Sequence, residues 1–327
     1  MPKFFHTDLW RVGMVRCSPH ALFSPEFGAS PPPVVWLESP RPFTFYADPF
    51  GIWREGKLHV FVEAYDYRSK HGVIEVHIYD QSLNKLSHAR ALARPFHLSY
   101  PYLWEEAGEI FMLPEAHRSG ALTLYRAARF PLAWEPVCDL LPLPAIDASL
   151  ARWEGYYWLF FSLPDNPLGA LHIAYADALT GPWQIHPKNP VLTDPTRARM
   201  GGAPFMHEGA LYLPGQNGTV TYGGSLTLTK LDKLSPDDFA SHAVATLAPP
   251  PWAAPYTHGI HSISNPLIWG HNEFIVSPMR NGDNGDTMNS LCPQSVQSVT
   301  LFDVKRISHS PARALINLER RVGRFLR

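Results

Sequence analysis

Two aspartates and a glutamate stand where short strands begin or end. Asp48 lies in FYADPFGIW, Asp147 in AIDASL, and Glu115 closes the apolar run FMLPE. Buried carboxylates are costly unless paired or used. A set of them is what glycosidic-bond chemistry requires. One acid protonates the leaving oxygen, a carboxylate activates water or attacks the anomeric carbon, and a third raises the acid's pKa by like-charge repulsion. Asp48, Glu115 and Asp147 are therefore the candidate catalytic residues, with Asp48 as base or nucleophile, Glu115 as acid and Asp147 as its tuner. Glu63 ends FVEAY as Glu115 ends its own strand, and Gln216 holds the matching place in LYLPGQN, where an amide suits sugar hydroxyls. His97, Tyr100, Arg199, His258 and His261 complete the candidate binding set. Plainer readings stay open beside these: Asp-Pro starts turns, Asp147 can turn onto Ser149, and Arg199 can simply neutralise Asp48 or Asp147.

These residues occupy equivalent places in a degenerate repeat. Five units open near Asp48, Tyr100, Asp147, Arg199 and His258. Each has a short strand with small or polar residues, a tight turn, and an apolar, aromatic strand running back. The turns fall at Glu55-Gly56, Ala107-Gly108, Glu154-Gly155, Glu208-Gly209 and Gly270-His271. Two strands joined this way form a hairpin. Unit starts lie roughly fifty residues apart, the spacing of propeller blades. An all-β, five-bladed β-propeller is predicted over residues 41–308. The first strand of each blade lines a propeller's channel, so the five opening groups should converge on one axial pocket.

Composition agrees. Hydrophobic residues at 45% against charged residues at 17% allow a large core and exclude a disordered chain. The 33 prolines and 13% aromatics favour many short strands over long helices. With 28 basic and 29 acidic residues, no global field points to nucleic acid. Cys17, Cys138 and Cys292 are odd in number and far apart, which fits neither a disulfide framework nor metal ligation. His6, Asp8 and Arg11 interrupt any signal-peptide core, and no run of ~18 apolar residues occurs, so a cytoplasmic protein is expected.

Residues 1–40 are Pro-rich and irregular apart from VVWLE, and are expected to wrap the propeller or supply a closing strand. Residues 309–327 differ. Leu315, Leu318, Val322, Phe325 and Leu326 share one helical face, opposite Arg313, Arg320, Arg324 and Arg327. A short basic amphipathic helix is expected there, either packed on the flank or lying against the inner face of an anionic membrane as a peripheral contact.

The strings FYADPFGI, GKLHVFVEAY, PFHLSYPYLWEEAGEIFMLPEA, LYRAARFPLAWEPV and LTGPWQIHPKNPV carry a resemblance. Across roughly residues 40–305 the chain resembles the N-terminal domain of plant glucosamine inositolphosphorylceramide transferases. Bacterial relatives of that domain occur near polysaccharide biosynthesis enzymes. The domain is similar in turn to the five-bladed propellers of glycoside hydrolase family 43. That resemblance implies that Asp48, before Pro49, matches the catalytic base and that Asp147 matches the residue tuning the acid. It also implies a glutamate opening blade four as the acid, yet this chain reads ARMGGAPF there. Either Glu115 or Glu63 replaces that acid, or the site no longer hydrolyses glycosides. Arg199 and the adjoining glycines match the closer family, and an arginine there implies an anionic group on the ligand. Some related propellers hold an axial calcium beside a blade-five histidine, a place His258 or His261 would fill.

Two functions are therefore expected in competition. One is an enzyme acting on a glycosidic bond in polysaccharide or glycolipid metabolism. The other is a non-catalytic module that positions a glycan or glycolipid for a separate glycosyltransferase. A protein-binding scaffold is a third.

Overall fold

The computed structural model describes residues 7–30, 33–38, 41–268 and 299–308. They form five antiparallel sheets around one axis, each blade built outward from an innermost strand. Blade one comprises Thr44–Arg54, Lys57–Asp66, His71–Tyr79 and Lys85–Leu92, extended by Leu267–Ile268 running parallel to its inner strand. Blade two comprises Ser99–Glu106, Glu109–Glu115, Leu122–Arg129 and Ala133–Leu141. Blade three runs from Ile146–Trp153 through Tyr156–Ser162 and Ala170–Ala176 to the short Gln184–Ile185. In blade four the inner edge is broken into Arg199–Met200 and Phe205–His207, both paired with Ala210–Asn217, ahead of Ser225–Ser235 and Asp238–Leu247.

Blade five is assembled from both ends of the chain. Gly259–Ser264 pairs with Thr300–Ser308, which pairs along its length with Thr7–Val15, which in turn pairs with Val34–Trp36. Parts of the segment 1–40 that composition sets apart are thus two strands of the last blade. Such closure ties both ends of the chain into one sheet and leaves only short, protected edges. The expected C-terminal helix and the fifth turn, Gly270-His271, lie outside the described residues.

Local chemistry explains the regularity. Glu55-Gly56, Ala107-Gly108, Glu154-Gly155 and Glu208-Gly209 all have positive φ at both residues, between 48° and 89°. Tight hairpin turns of this kind match the twist of the strands they join. The second strand of each blade is sandwiched between neighbouring blades, so it is apolar on both faces rather than alternating. Tyr156–Ser162 is buried at six of seven positions, whereas the outer strand Lys85–Leu92 is largely exposed. Gly13 sits on this seam because a Cβ there would come within 2.6 Å of the Phe302 ring.

Deleting residues 1–16 removes the strand between Thr300–Ser308 and Val34–Trp36. The expected result is loss of the cooperative thermal transition in calorimetry. A sharp transition at the full-length temperature would refute this account of closure.

Candidate active site on the propeller axis

The innermost strands of four blades share one irregularity. Register breaks between Ala47 and Phe50, Ser99 and Tyr102, Ile146 and Ser149, and Ile260 and Ile263. In the first three blades the bulge holds a left-handed residue: Asp48 (φ 51°), Tyr100 (45°) and Asp147 (48°). For an L-residue this conformation costs about 1–2 kcal/mol, and bulges are a means of re-aiming a side chain. Across the ladder, Glu63 faces Ala47, Glu115 faces Ser99, and Gln216 faces Arg199. The repeat read from the sequence therefore places Asp48, Asp147, Glu63, Glu115 and Gln216 around one axis, and all five are buried.

Asp48 belongs to a chain of three groups. One of its oxygens accepts the Tyr100 backbone N–H at 3.3 Å, and the other lies 3.3 Å from His261 Nε2. His261 Nδ1 lies 2.7 Å from Asp303, whose carboxylate also accepts backbone N–H groups of Asp48, His261 and Ser262. Burial pushes the Asp48 carboxyl up, with His261 opposing and Asp303 reinforcing, to about 6. Burial works against a charged His261, but Asp303 and Asp48 outweigh it and the imidazole titrates above its ordinary value. Trp10 covers this imidazole, stacked at 3.8 Å between ring centroids.

Across the axis, Arg199 Nε donates to Asp147 at 2.6 Å, and its Nη2 lies 4.0 Å from Glu115. Gln216 Nε2 donates to the same Asp147 oxygen at 2.9 Å and to the Met200 carbonyl. Glu115 faces Asp147 and also meets His117 Nδ1 at 2.6 Å. Burial lifts both carboxyls, but they end on opposite sides of their ordinary values. For Glu115 the His117 hydrogen bond and Arg199 outweigh burial and hold it low. For Asp147 burial prevails over Arg199 and pushes it up to about 7. The two carboxyls interact, and of the pair Asp147 holds its proton to the higher pH. His117 stabilises ionised Glu115 from one side, while Asp147 has Arg199 and Gln216 as its donors.

Blade four explains its own missing acid. A Cβ on Gly202 would lie 1.7 Å from the Ile263 carbonyl oxygen, so backbone fills the place where a side chain would enter. Gly202 also takes the Tyr100 hydroxyl, which bonds its N–H and carbonyl and meets Ser149 Oγ at 2.8 Å. Tyr100 is thus a correction to the binding set. Its phenol is consumed by the protein, and its contribution is the backbone N–H on Asp48. His258 is a second correction: it is exposed, and its backbone N–H donates to the Lys305 carbonyl just before the inner strand of blade five begins. Sequence reasoning missed Asp303, His117, Trp10 and Tyr222. Asp303 had a signal, a lone acid inside the apolar strand TLFDVK. Tyr222 had none. Its ring is 39% exposed and lies 5.5 Å from the Arg199 guanidinium carbon and 5.6 Å from the His261 ring.

Asp48, His261 and Asp303 also form the one acid–imidazole cluster among the described residues close enough to share a metal ion. They do not fit the expected calcium. That ion wants six to eight oxygens, whereas the Asp303 oxygens accept four N–H donors and His261 offers nitrogen.

Glu63 sits at the edge of the cluster with His97. The Gly72 N–H donates to His97 Nδ1, which fixes the proton on Nε2, 3.5 Å from Glu63. Gly72 permits this approach, since a Cβ would lie 2.7 Å from the imidazole and 2.9 Å from the carboxyl. Burial, then Asp48 and Glu115, raise the Glu63 carboxyl well above its ordinary value. The folded state therefore holds this proton to higher pH than the unfolded chain does. Its stabilisation is complete below about pH 4.5 and is lost as pH rises toward the folded pKa. Glu63→Gln keeps the neutral form at every pH. The variant should melt with the wild type at pH 4 and above it at pH 8, by about 2–4 °C per kcal/mol of relieved desolvation. A lower melting temperature at pH 8 would overturn the assignment.

Residues 35–249 match the family model described as glucosamine inositolphosphorylceramide transferase 1, N-terminal. The protein of that name from Oryza sativa subsp. indica is 36% identical over 220 residues, covering 63% of this chain and 29% of its own length. Its Arabidopsis thaliana counterpart is 33% identical over 213 residues, covering 62% and 28%. The chain thus spans less than a third of the length of these relatives. Among solved structures, an α-L-arabinofuranosidase from Podospora anserina in complex with cellotriose superposes with a TM-score of 0.55 at 12% identity, over 84% of this chain and 96% of that one. A family 117 glycoside hydrolase from Zobellia galactanivorans gives 0.51 at 15% identity, over 82% and 86%. At such identities the likeness is one of fold. The family model spans more than half of the chain, and the chain therefore belongs to the family of the N-terminal domain of glucosamine inositolphosphorylceramide transferases.

Proposed function

We propose that the axial pocket binds a sugar and acts on its glycosidic bond. The observation that carries this is the convergence of three buried carboxyl groups, Asp48, Glu115 and Asp147, on one axis. Asp48, aimed by its bulge and ordered by Tyr100 and His261, serves as base or nucleophile. The Asp147–Glu115 pair supplies the proton to the leaving oxygen, and Glu115 takes the charge while His117 and Arg199 hold it. Tyr222 offers an aromatic face at the mouth. The relatives' name places a glucosamine-bearing glycolipid in their chemistry, and the fold recurs in glycoside hydrolases.

One observation favours the binding-module reading. Arg199 and Gln216 both donate to Asp147, and such donors favour its ionised form over that of a proton donor. The transferase activity in the relatives' name also belongs to proteins more than three times as long as the matched region.

The two readings separate experimentally. The screen uses 4-nitrophenyl glycosides, including the glucosaminide, and UDP-glucosamine. With an enzyme, Asp48→Asn lowers turnover by about 10²–10⁴-fold and leaves the dissociation constant within a few-fold. Saturable binding that Tyr222→Ala weakens, with no turnover of any probe, decides for the module.

The pH profile gives a second check. Asp48 must be ionised, so the rate rises with pH through about 6. Asp147 must be protonated, so the rate falls with pH through about 7. A narrow bell between these values is expected for kcat/KM. A plateau extending to pH 9 would remove Asp147 as proton donor.

A further inference from the structure

The ladder that closes blade five also builds a cleft apart from the axial carboxyls. Across its two strands Leu9 faces Arg306 and Arg11 faces Val304. Arg11 and Arg306 are therefore diagonal neighbours on one face of the sheet. Both guanidiniums lie against the Tyr256 ring, their central carbons 5.9 Å and 5.0 Å from its centroid. Arg11 also lies 4.7 Å from the Trp36 centroid. Together with the exposed Arg41 they line a cavity of about 230 Å³ between blade five and the start of blade one. Leu9, Val12 and Leu37 supply apolar wall. Glu38 is the one acid of this lining among the described residues, and it is taken by Lys85 Nζ at 2.5 Å. The Nε atoms of Arg11 and Arg306 are buried with no hydrogen-bond partner among the described residues.

We propose that Arg11, Arg41 and Arg306 make this cleft a second ligand site, which takes the carboxylate of a small organic acid. Stacking on an aromatic ring occupies the face of a guanidinium and leaves the N–H groups at its edge. Two cations against one tyrosine repel each other, and part-buried charge is costly without a counter-charge. An anion in the cleft relieves both. The Thr44 hydroxyl donates to the Arg41 carbonyl and the Tyr46 hydroxyl to Glu75, so the donors left in the lining are mainly guanidinium. A planar fork of donors matches a planar carboxylate. The apolar wall receives the body of the acid, the usual division of labour in a small-molecule site. Trp10 lines the cleft and stacks on His261 at 3.8 Å between centroids, so an occupant shares a wall with the axial site. The proposal stands whether or not the axial pocket holds a sugar.

Calorimetric titration of the full chain tests it with benzoate, hexanoate, the neutral benzamide and inorganic phosphate at matched ionic strength. At least one of the two carboxylates should bind saturably, with benzamide and phosphate at least about tenfold weaker. Arg11→Gln and Arg306→Gln should each weaken that carboxylate at least about tenfold and abolish the rise in melting temperature it gives the wild type. Arginines that merely stack on Tyr256 for stability would instead lower the melting temperature when replaced and bind no ligand. Arg41 is exposed, so Arg41→Ala should melt with the wild type and still weaken binding, which keeps the site refutable even if the other two variants do not fold. The site is overturned if neither carboxylate binds saturably, if phosphate or benzamide binds as tightly, or if any of the three substitutions leaves the affinity unchanged.

Discussion

Five carboxyl groups, Asp48, Glu63, Glu115, Asp147 and Asp303, are buried around the axis, none more than 7% exposed. Two like charges 4 Å apart repel by about 4 kcal/mol even at an effective dielectric of 20. The axis cannot hold all five as free anions, and each group escapes differently. Asp303 is surrounded by backbone N–H donors and the His261 imidazole. Glu115 has His117 and Arg199. Glu63 and Asp147 hold their protons to higher pH than a free carboxyl does, and Asp48 is raised as well. Groups of one chemical type thereby acquire distinct proton affinities, the condition under which one donates and another accepts.

The fold exists in the form that this arrangement demands. A left-handed bulge on the inner strand is unfavourable in isolation and persists because neighbouring blades fix both of its ends. Asp303 shows the coupling most directly. It sits in the strand that Thr7–Val15 covers, and it holds the Asp48 backbone of blade one and the His261 bulge of blade five together. Closing the ring and aiming Asp48 are consequently one event. Lys305, two residues along the same strand and fully buried, reaches the Thr221 hydroxyl, the Tyr222 carbonyl and Asp8. The chain's first described strand, its last blade and the turn carrying Tyr222 therefore meet at one ammonium group.

Much of this was legible in the sequence because the repeat is carried by local rules. Glu-Gly and Ala-Gly turns mark hairpins, and strands apolar on both faces mark blades that stack. Equivalence between units then put Asp48 with Asp147, and Glu63 with Glu115 and Gln216. What stayed hidden depends on contacts distant in sequence. His117 follows Glu115 by two residues, but nothing local says that it folds back onto it. Tyr100 looked like a ligand-facing phenol, and only the proximity of Gly202 across the axis shows where its hydroxyl goes. His258 and His261 lie three apart, and a bulge, not a pattern, decides that the second one turns inward.

The glycine pair of blade four decides what kind of site this can be. A side chain at Gly202 would collide with the Ile263 backbone, and one at Gly201 would meet Leu226 at 2.4 Å and the His261 carbonyl at 2.9 Å. A glutamate cannot return to that position without moving blade five, so the carboxyl groups of the axis all come from the other blades. Asp147 and Glu115 meet on that axis with proton affinities shifted in opposite directions. Arg199 stands beside both members, so loss of the proton leaves a carboxylate already facing a guanidinium. In water that stabilisation would be small. On a desolvated axis it is large enough to hold neighbouring buried carboxyls at distinct proton affinities.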